Sequence, residues 1–473
     1  MGHCDVELSS KRWAALLLVL ACSTSFWASS GSVQWMDNGQ FLAQAADPAS
    51  ADPSLHPLFQ WLMSWAWAVG GAPLAGAANA WLLLPYAAAT GWLARGLGLG
   101  PAGALAASAA TVLAHGVFWQ ATKASPVLLL GLCTTLAWAV HCDRSLRLAG
   151  LGRLWAIGAL GGLALSVHPL ALLLLAPLGG PLWQLHRAKL LLIVPAVVLG
   201  SVAAWPAVLE DFNAGLSAEA VLRHYLTGFS ALEPDSGREA ALLRWDLVWH
   251  EKNSVMLLML SLIGPQLAGV LWRPAGSDAR ALWYALWLGL LASVSFNVFD
   301  RFCYFVPCVG MAAALGVLNL QARLAAGRLA RGAFNASLVA GPVLLLTMWG
   351  LYAQGLLHLP THKESLPYRD DIHYLMVPWL PDRSAAAFAH HYESAAPAGA
   401  LILSDETPLG ALRSAQAAGL LQGRQFEPCA NAGDIGMFVR GPGAYLPRTS
   451  YCERIVERYR LNKRVVGYQL EPR

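Results

Sequence analysis

The sequence predicts an all-α polytopic membrane protein with about eleven transmembrane helices, followed by a small α/β domain at the C-terminus. Of the 473 residues, 56% are hydrophobic and only 13% are charged, and the mean hydropathy is +0.47. The charged share is about half that of a typical globular protein. Residues 1–357 carry 35 charged side chains, whereas the much shorter segment 358–473 carries 25. These observations exclude a disordered chain and divide the sequence into a membrane domain and a soluble tail.

Eleven apolar runs approach the length of about 20 helical residues that crosses the hydrocarbon core of a bilayer. They cover residues 13–30, 76–97, 102–119, 124–141, 154–168, 170–185, 189–207, 254–272, 281–297, 302–320 and 334–357. The first run ends near Ala21-Cys22, which loosely resembles a lipoprotein cleavage site. Leu20 fits that pattern poorly and the apolar sequence continues to Trp27, so we expect a retained helix rather than a cleaved signal.

The distribution of basic residues predicts the orientation of these spans. With the N-terminus in the cytoplasm, the cytoplasmic loops hold 13 Lys and Arg residues, against 6 on the opposite side before the tail. This asymmetry is typical of membrane proteins. We therefore expect an integral protein of the inner (cytoplasmic) membrane whose domain 1–357 has outer loops at 31–75 and 208–253. The tail domain 358–473 is then periplasmic or extracellular.

The tail has the pattern of a small α/β domain, with strands predicted at 400–404 and 465–470 and a helix at 408–420. Asp405 follows the first strand, where capping of the helix is the simpler interpretation and binding of a metal or an acceptor is the alternative. Cys429 and Cys452 are predicted to form a disulfide, since the tail lies on the oxidising side.

Composition and motif spacing also limit the partners and cofactors. The net charge of +4 gives no basic face for nucleic acid. No cysteine or histidine spacing indicates a metal site. The cofactor therefore stays unknown, and a divalent metal is not indicated by the sequence.

Polar residues collect at the predicted outer ends of the spans, where they are functional candidates because they are costly near a bilayer. In the first outer loop, Asp37 and Gln40 follow the first span, and His56 precedes the apolar, Trp-rich segment 58–69. This segment is too short to span and predicts a helix lying in the membrane interface. A helix cap or a solvated loop acid is the simpler interpretation of Asp37.

The remaining candidates lie in the later outer loops, and several of them also have a simpler interpretation. They are Trp119, Gln120, Lys123, His168, Arg223, His224, Asp300, Arg301 and Tyr304. Lys123 could extend from a helix end to the membrane surface, His168 could be structural, and Asp300 and Arg301 could form an ion pair. Together, an acid, several cations and surface helices on one membrane face suit chemistry on a lipid-linked anionic substrate. A carboxylate can take a proton from an attacking hydroxyl, and cations can stabilise a leaving phosphate.

Four groups of residues in the same order resemble the motifs of a known family. They are Asp37-Asn38-Gly39-Gln40 with His56-Pro57-Leu58, then Phe118-Trp119-Gln120, then Val167-His168, and then Asp300 with Tyr304-Phe305-Val306-Pro307. The family comprises polytopic bacterial membrane proteins related to the eukaryotic transmembrane protein O-mannosyltransferases, which have the C-type glycosyltransferase (GT-C) fold. The sequence departs from the family where Gln40 replaces a glutamate and where Pro126 replaces a second acid.

The resemblance implies a GT-C-like fold in which Asp37 is the catalytic base of an inverting glycosyltransferase. Such an enzyme transfers a sugar from a polyprenyl-phosphate-linked donor to a hydroxyl of a protein or glycan acceptor on the extracytoplasmic face, among membrane lipids. We expect Lys123, His168 and Arg301 to converge with Asp37 on one outward-facing cavity.

Two other functions stay open. A transporter or lipid flippase is disfavoured, because transporters place polar groups near the bilayer midplane and often contain repeated halves. A non-catalytic GT-C-like membrane scaffold is the second alternative, because Gln40 and Pro126 replace acids of the family.

Overall fold

A computed structural model describes residues 2–29, 31–50, 56–148, 150–227, 244–246, 252–296, 301–324, 328–357, 366–369 and 377–473. Within these ranges only the backbone is described for residues 2–11, 50, 188, 226–227, 252–254, 301–302 and 328–331.

In the part of the chain before the tail, all regular elements among the described residues are helices. Its helices are α1 (Gly2–Ala28), α2 (Met36–Ala46), α3 (Pro57–Gly76), α4 (Ala78–Gly96), α5 (Pro101–Leu113), α6 (His115–Ala121), α7 (Val127–Cys142), α8 (Gly150–Val167), α9 (Ala171–Leu175), α10 (Gly179–His186), α11 (Ile193–Gly200), α12 (Trp205–Asn213), α13 (Ala218–Thr227), α14 (Lys252–Leu262), α15 (Pro265–Leu271), α16 (Ser277–Ser295), α17 (Val306–Arg323) and α18 (Arg328–Ala353). Short 3-10 helices lie at Pro48–Ser50, Ala176–Leu178, Arg187–Leu192, Val202–Ala204 and Arg301–Phe305. Each predicted span coincides with one helix or with consecutive helices.

The described helices include several membrane-spanning candidates, and the chain is an integral membrane protein. Three of them, Gly150–Val167, Cys303–Arg323 and Gly332–Ala353, are long and apolar enough to cross a membrane, or up to six if each of three bent pairs is one span. The bends measure 87° between α3 and α4 and 67° between α5 and α6. Broken helices carry polar backbone groups that need protein or water partners. The count of eleven spans stays a prediction.

Helix α3 contains the segment that was predicted to lie along the membrane surface. Trp61, Trp65 and Val69 follow one another at helical spacing and are 68%, 62% and 63% exposed. Phe59 and Met63 are buried on the opposite face. Tryptophan favours the membrane–water interface, and α3 turns by 87° into α4. This arrangement suits a helix that lies across the ends of the spans.

The tail is a small α/β unit. Its elements are α19 (Ser384–Ala395), β1 (Leu401–Ser404), α20 (Glu406–Ala417), β2 (Gln425–Pro428), α21 (Gly436–Arg440), β3 (Ala444–Leu446), α22 (Glu453–Arg458), β4 (Arg460–Lys463) and β5 (Tyr468–Glu471). The sheet order is β2-β1-β3-β5-β4, with β1 parallel to β2 and β3, and with β5 antiparallel to β3 and β4.

The structure contains the elements predicted for the tail, with boundaries shifted by about one to three residues: β1 covers Leu401–Ser404 and α20 covers Glu406–Ala417. The last strand begins at Tyr468 rather than at 465, because residues 464–467 form the turn of the β4–β5 hairpin and Gly467 has a φ of +65°. Cys429 and Cys452 form the predicted disulfide. The backbone N–H of Cys429 donates to the carbonyl of Ser404 at 2.9 Å, which joins this disulfide to the end of β1.

One hydrophobic cluster is shared by the helical part and the tail. Its buried members include Trp35, Tyr86, Trp119, Phe388 and Leu412. Burial of such large apolar surfaces is the main stabilising contribution to packing. The tail therefore packs directly on the first loop, and the two lie on the same side of the helical part.

Candidate active site

Asp37 lies in the first turn of α2, and its side chain is exposed. The preceding Met36 has a φ of +56°, a left-handed conformation that is uncommon for residues other than glycine. Trp35, one residue further back, is only 1% exposed. The backbone thus turns sharply between a buried tryptophan and an exposed acid, and conformational strain of this kind clusters at functional sites.

The tail holds Trp35 in place. Its indole Nε1–H donates to the hydroxyl oxygen of Ser384 at 2.8 Å, and its ring centroid lies 5.0 Å from that of Phe388. The guanidinium carbon of Arg369 lies 5.6 Å from the Trp35 ring centroid, and Arg369 Nη2 lies 3.9 Å from Met36 Sδ. The tail therefore brings a cation to the backbone that carries Asp37.

Lys123 is only 3% exposed, so the interpretation that it extends to the membrane surface is wrong. Its Nζ lies 4.7 Å from the Trp119 ring centroid and donates to Thr122 Oγ1 at 3.2 Å. The lysine is held inside the protein because its loop is short and fixed at both ends. Asn79 Nδ2 lies 3.1 Å from the carbonyl oxygen of Gln120 and 2.7 Å from those of Lys123 and Ser125.

Burial lowers the pKa of Lys123 to about 7, while Asp382 raises this pKa and Arg369 lowers it. Removing the ammonium from water disfavours its charged form, and the neighbouring charges add to that effect or oppose it. Both neighbouring charges belong to the tail. Lys123 is thus poised to titrate near neutral pH, at a point where the helical part and the tail meet.

Gln34 connects the start of α2 with the loop of Lys123. Its Oε1 accepts a hydrogen bond from the backbone N–H of Ala124 at 2.8 Å. Its Nε2–H donates to the carbonyls of Gly31 at 2.9 Å and Gly76 at 3.3 Å. The segments that carry Asp37 and Lys123 are therefore tied together by one buried amide.

His56, His168 and Tyr304 form a second group. The ring centroids of the two histidines lie 5.3 Å apart with the planes 21° from parallel, and Tyr304 lies 4.9 Å from His168. His56 Nδ1 lies 2.8 Å from the Val167 carbonyl, so this nitrogen carries the proton. His168 Nδ1 accepts from the backbone N–H of Leu170 at 3.0 Å, so the His168 proton is on Nε2.

Burial lowers the pKa of His56, while its hydrogen bond with the Val167 carbonyl raises it. The net shift keeps the His56 ring neutral at neutral pH. Two stacked imidazoles offer hydrogen-bonding and apolar surface, and a neutral pair avoids the repulsion of adjacent cations. The group formed by His56, His168 and Tyr304 therefore suits contact with an uncharged part of a substrate.

Phe41 links this second group to Asp37. Its ring centroid lies 5.6 Å from that of His56 and 5.4 Å from that of Phe59. Phe41 follows Asp37 by four residues in the same helix, a rise of about 6 Å. Helix α2 thus carries both Asp37 and the aromatic ring that contacts His56.

Other predicted residues have structural partners. Gln40 Oε1 accepts from Arg413 Nη1 of the tail at 3.4 Å, and the Gln120 side chain is buried. His224 Nδ1 lies 2.7 Å from Asp211 Oδ2, and Arg223 lies exposed on the same helix, α13.

Two of the predicted residues are not described in full. Asp300 lies outside the described residues, and only the backbone of Arg301 is described, within a 3-10 helix. The structure brings His168 together with Tyr304 and His56, and the convergence of Lys123, His168 and Arg301 on Asp37 stays a prediction. Within the described part of the chain, no group of three or more His, Cys, Asp or Glu side chains could hold a metal ion.

The tail residues that border the first loop and the loop of Lys123 were not among the predicted site residues. Arg369 and Ser384 lie more than 300 positions from Met36 and Trp35, which they contact. Asp382, which raises the pKa of Lys123, lies more than 250 positions from that lysine. No motif in the sequence marks them. The higher share of charged residues after position 358 predicted a soluble tail but gave no indication that it contacts the first loop.

Comparison with known proteins shows the fold. No family model and no curated protein matches the sequence. The crystal structure of ArnT from Cupriavidus metallidurans bound to undecaprenyl phosphate matches with a TM-score of 0.58 at 13% identity, over 96% of this chain and 97% of that chain. The apo state of ArnT matches with a TM-score of 0.59 at 12% identity, over 98% of each chain.

A third structure, the oligosaccharyltransferase AglB from Archaeoglobus fulgidus in complex with an inhibitory peptide and a dolichol-phosphate, matches more weakly. Its TM-score is 0.42 at 15% identity, over 85% of this chain and 64% of that chain, which is too low to support an argument. The chain therefore has the GT-C glycosyltransferase fold of ArnT, and the fold implied by the sequence resemblance is confirmed. The resemblance to the O-mannosyltransferases in particular stays a prediction.

Proposed function

We propose that this chain is a membrane glycosyltransferase that transfers a sugar from a polyprenyl-phosphate-linked donor to an acceptor hydroxyl. The observation that carries the proposal is the exposed carboxylate of Asp37, held at the start of α2 beside Arg369 and tied through Gln34 to the loop of Lys123. The fold shared with ArnT, whose crystal structure holds undecaprenyl phosphate, supports this choice of donor.

In the proposed reaction, the acceptor oxygen forms a bond to the anomeric carbon of the sugar while Asp37 takes the hydroxyl proton. The bond between the anomeric carbon and the phosphate oxygen breaks, and its electron pair leaves with the polyprenyl phosphate. Displacement in one step inverts the configuration at the anomeric carbon. Lys123 and Arg369 stabilise the negative charge on the leaving phosphate.

The buried position of Lys123 fits this role. A phosphate placed beside it favours the charged ammonium and so raises its pKa. An anion that enters a water-poor site also interacts more strongly with the lysine than it would in bulk water. The donor phosphate and the proton on Lys123 therefore bind together.

We assign the group of His56, His168 and Tyr304 to binding of the donor or the acceptor beside Asp37. The support is its link to α2 through Phe41 and its neutral, partly apolar surface. Arg301 and Asp300 stay candidates for the same site. With the N-terminus in the cytoplasm, Asp37 and the tail both face the extracytoplasmic side, where a lipid-linked donor would meet its acceptor.

The replacement of a family glutamate by Gln40 does not argue for a non-catalytic scaffold. Gln40 accepts a hydrogen bond from Arg413, so its side chain is directed to the tail. A glutamine serves that contact as an uncharged acceptor, and Asp37 keeps its position. The lost acid therefore removes no group that the proposed displacement uses.

The proposal is tested with the full-length protein reconstituted in nanodiscs and offered a panel of undecaprenyl-phosphate-linked sugars. The measurement is release of undecaprenyl phosphate together with the product. We expect release with at least one donor, its loss in Lys123→Gln, and its retention in Lys463→Gln, which removes an exposed lysine of the tail. Absence of release with every donor, together with absence of undecaprenyl phosphate binding, would contradict the proposal.

A further inference from the structure

Helices α2 and α20 touch through their backbones beside Asp37. A Cβ atom added at Gly410 would lie 1.9 Å from the carbonyl oxygen of Met36, and one added at Gly39 would lie 2.3 Å from the carbonyl oxygen of Gly410. Real Cβ atoms do not approach other atoms so closely. Only glycine at both positions allows this contact, because it lacks a side chain.

A hydrogen-bonded contact lies one turn further along α20. The hydroxyl oxygen of Ser414 accepts from the backbone N–H of Gln34 at 3.2 Å, and Ser414 is fully buried. Arg413 donates to Gln40 at 3.4 Å. The segment from Gln34 to Gln40, which carries Asp37, is thus attached at several points to one face of a tail helix.

Helix α20 is itself firmly seated in the tail. Asp405 caps it, because Asp405 Oδ1 accepts from the backbone N–H of Thr407 at 3.1 Å. Arg448 donates to both carboxylate oxygens of Asp405, at 2.7 Å and 2.6 Å, and both side chains are at least nine-tenths buried. A two-pronged, buried contact of this kind fixes geometry as well as contributing energy. The tail therefore gives α2 a rigid support.

We propose that α20 is a positioning element for catalysis and that Gly410 is its critical residue. The close approach at Gly410 fixes the backbone of Met36, and thereby the point from which the Asp37 carboxylate projects. This inference rests on the proposed function. Displacing a reacting group by about 1 Å can cost about 100-fold in rate. Lys123 and Arg369 lie outside α2 and α20, so binding of the donor phosphate does not require the contact at Gly410.

The test compares Gly410→Ala with Gly433→Ala in the reconstituted full-length protein. Both variants add one methyl group to the tail, but a Cβ at Gly433 meets nothing within 4 Å. The measurements are the number of undecaprenyl phosphate molecules bound per protein, KM for the donor, and kcat per binding site. We expect Gly410→Ala to lower kcat by about 10- to 100-fold with KM and stoichiometry unchanged, and Gly433→Ala to match the wild type.

Two results would overturn the inference. Full turnover in Gly410→Ala would show that the contact does not position the base. A parallel loss of binding stoichiometry and turnover would show that Gly410 serves folding alone. Ser414→Ala provides a milder second variant, since it removes the hydroxyl that bonds Gln34 without adding volume, and we expect a smaller loss of kcat in the same direction.

Hydrogen exchange separates failure of this inference from failure of the proposed function. If the wild type releases no undecaprenyl phosphate from any donor and does not bind it, the proposed function is wrong. Exchange at the amides of residues 36–46 then still reports whether α20 holds α2. We expect faster exchange there in Gly410→Ala than in Gly433→Ala, and equal exchange would overturn the positioning role.

Discussion

The guanidinium carbon of Arg369 lies 5.6 Å from the ring centroid of Trp35. A cation of the tail therefore lies against the residue that precedes Asp37 by two positions. A contact of this type is worth about 0.5–2 kcal/mol, and here it also fixes where the charge sits. The candidate site therefore draws on two parts of the chain, with Asp37 on the first loop and Arg369 on the tail.

Replacing Arg369 should weaken use of the lipid donor. We expect Arg369→Gln to raise KM for an undecaprenyl-phosphate-linked sugar by about tenfold or more, because hydrogen bonds to charged groups contribute about 1.5–3 kcal/mol. Arg440→Gln is the matched control, since Arg440 is an exposed arginine of the same tail. An unchanged KM in Arg369→Gln would remove this arginine from the donor site.

Donor binding should weaken as the pH rises above neutrality. The folded protein lowers the pKa of Lys123 to about 7, so its charged fraction falls about tenfold per pH unit above that value. We expect the Kd for undecaprenyl phosphate, measured from pH 7.5 to 9, to rise with pH in the wild type. In Lys123→Arg it should stay flat, because arginine stays charged. Equal pH dependence in both proteins would contradict the assignment.

Titration of Lys123 has the opposite effect on the free energy of unfolding, which it raises as the pH rises. An unfolded lysine titrates near 10.4, so between pH 7 and that value the unfolded state holds a proton that the folded state has released. Lys123 therefore makes the folded state more stable as the pH rises through this window. If undecaprenyl phosphate binds more weakly at high pH while the free energy of unfolding does not fall, the loss of binding is due to titration of Lys123. General unfolding of the protein would then be excluded as its cause.

Asp405 does more than cap a helix, because it is also paired with the buried Arg448. Asp405→Asn should destabilise the tail by about 3–5 kcal/mol, since it breaks a buried ion pair. Hydrogen exchange at the amides of β1 in the full-length protein measures this loss. Asp434→Asn is the control, since it alters an exposed acid that accepts only a local bond from Gly436, and similar exchange in the two variants would contradict the prediction.

Much of the fold could be predicted because hydrophobic pattern and span length are local properties of the sequence. The helices at the predicted spans and strand β1 follow from such signals. The disulfide between Cys429 and Cys452 follows from the predicted placement of the tail on the oxidising side. Asp37, His56 and His168 could be singled out because polar groups near a bilayer are rare.

The rest of the site depends on packing between distant segments. The burial of Lys123 follows from Asn79 and Gln34, which hold its loop from two other parts of the chain. Ser384 bonds Trp35 across 349 positions of sequence. The local sequence pattern carries no information about contacts between such distant residues. The contribution of the tail to the candidate site is therefore seen only in the three-dimensional structure.

Two acids at opposite ends of α2 provide the most direct test of the central claim. Asp37 is in the first turn and Asp47 follows the last, about 15 Å away along the helix, and both are exposed. Sugar transfer by reconstituted Asp37→Asn and Asp47→Asn is measured as release of polyprenyl phosphate, with donor binding recorded alongside. We expect Asp37→Asn to bind the donor yet lose about 10²–10⁴ in rate, while Asp47→Asn transfers like the wild type. Wild-type turnover in Asp37→Asn would contradict the account.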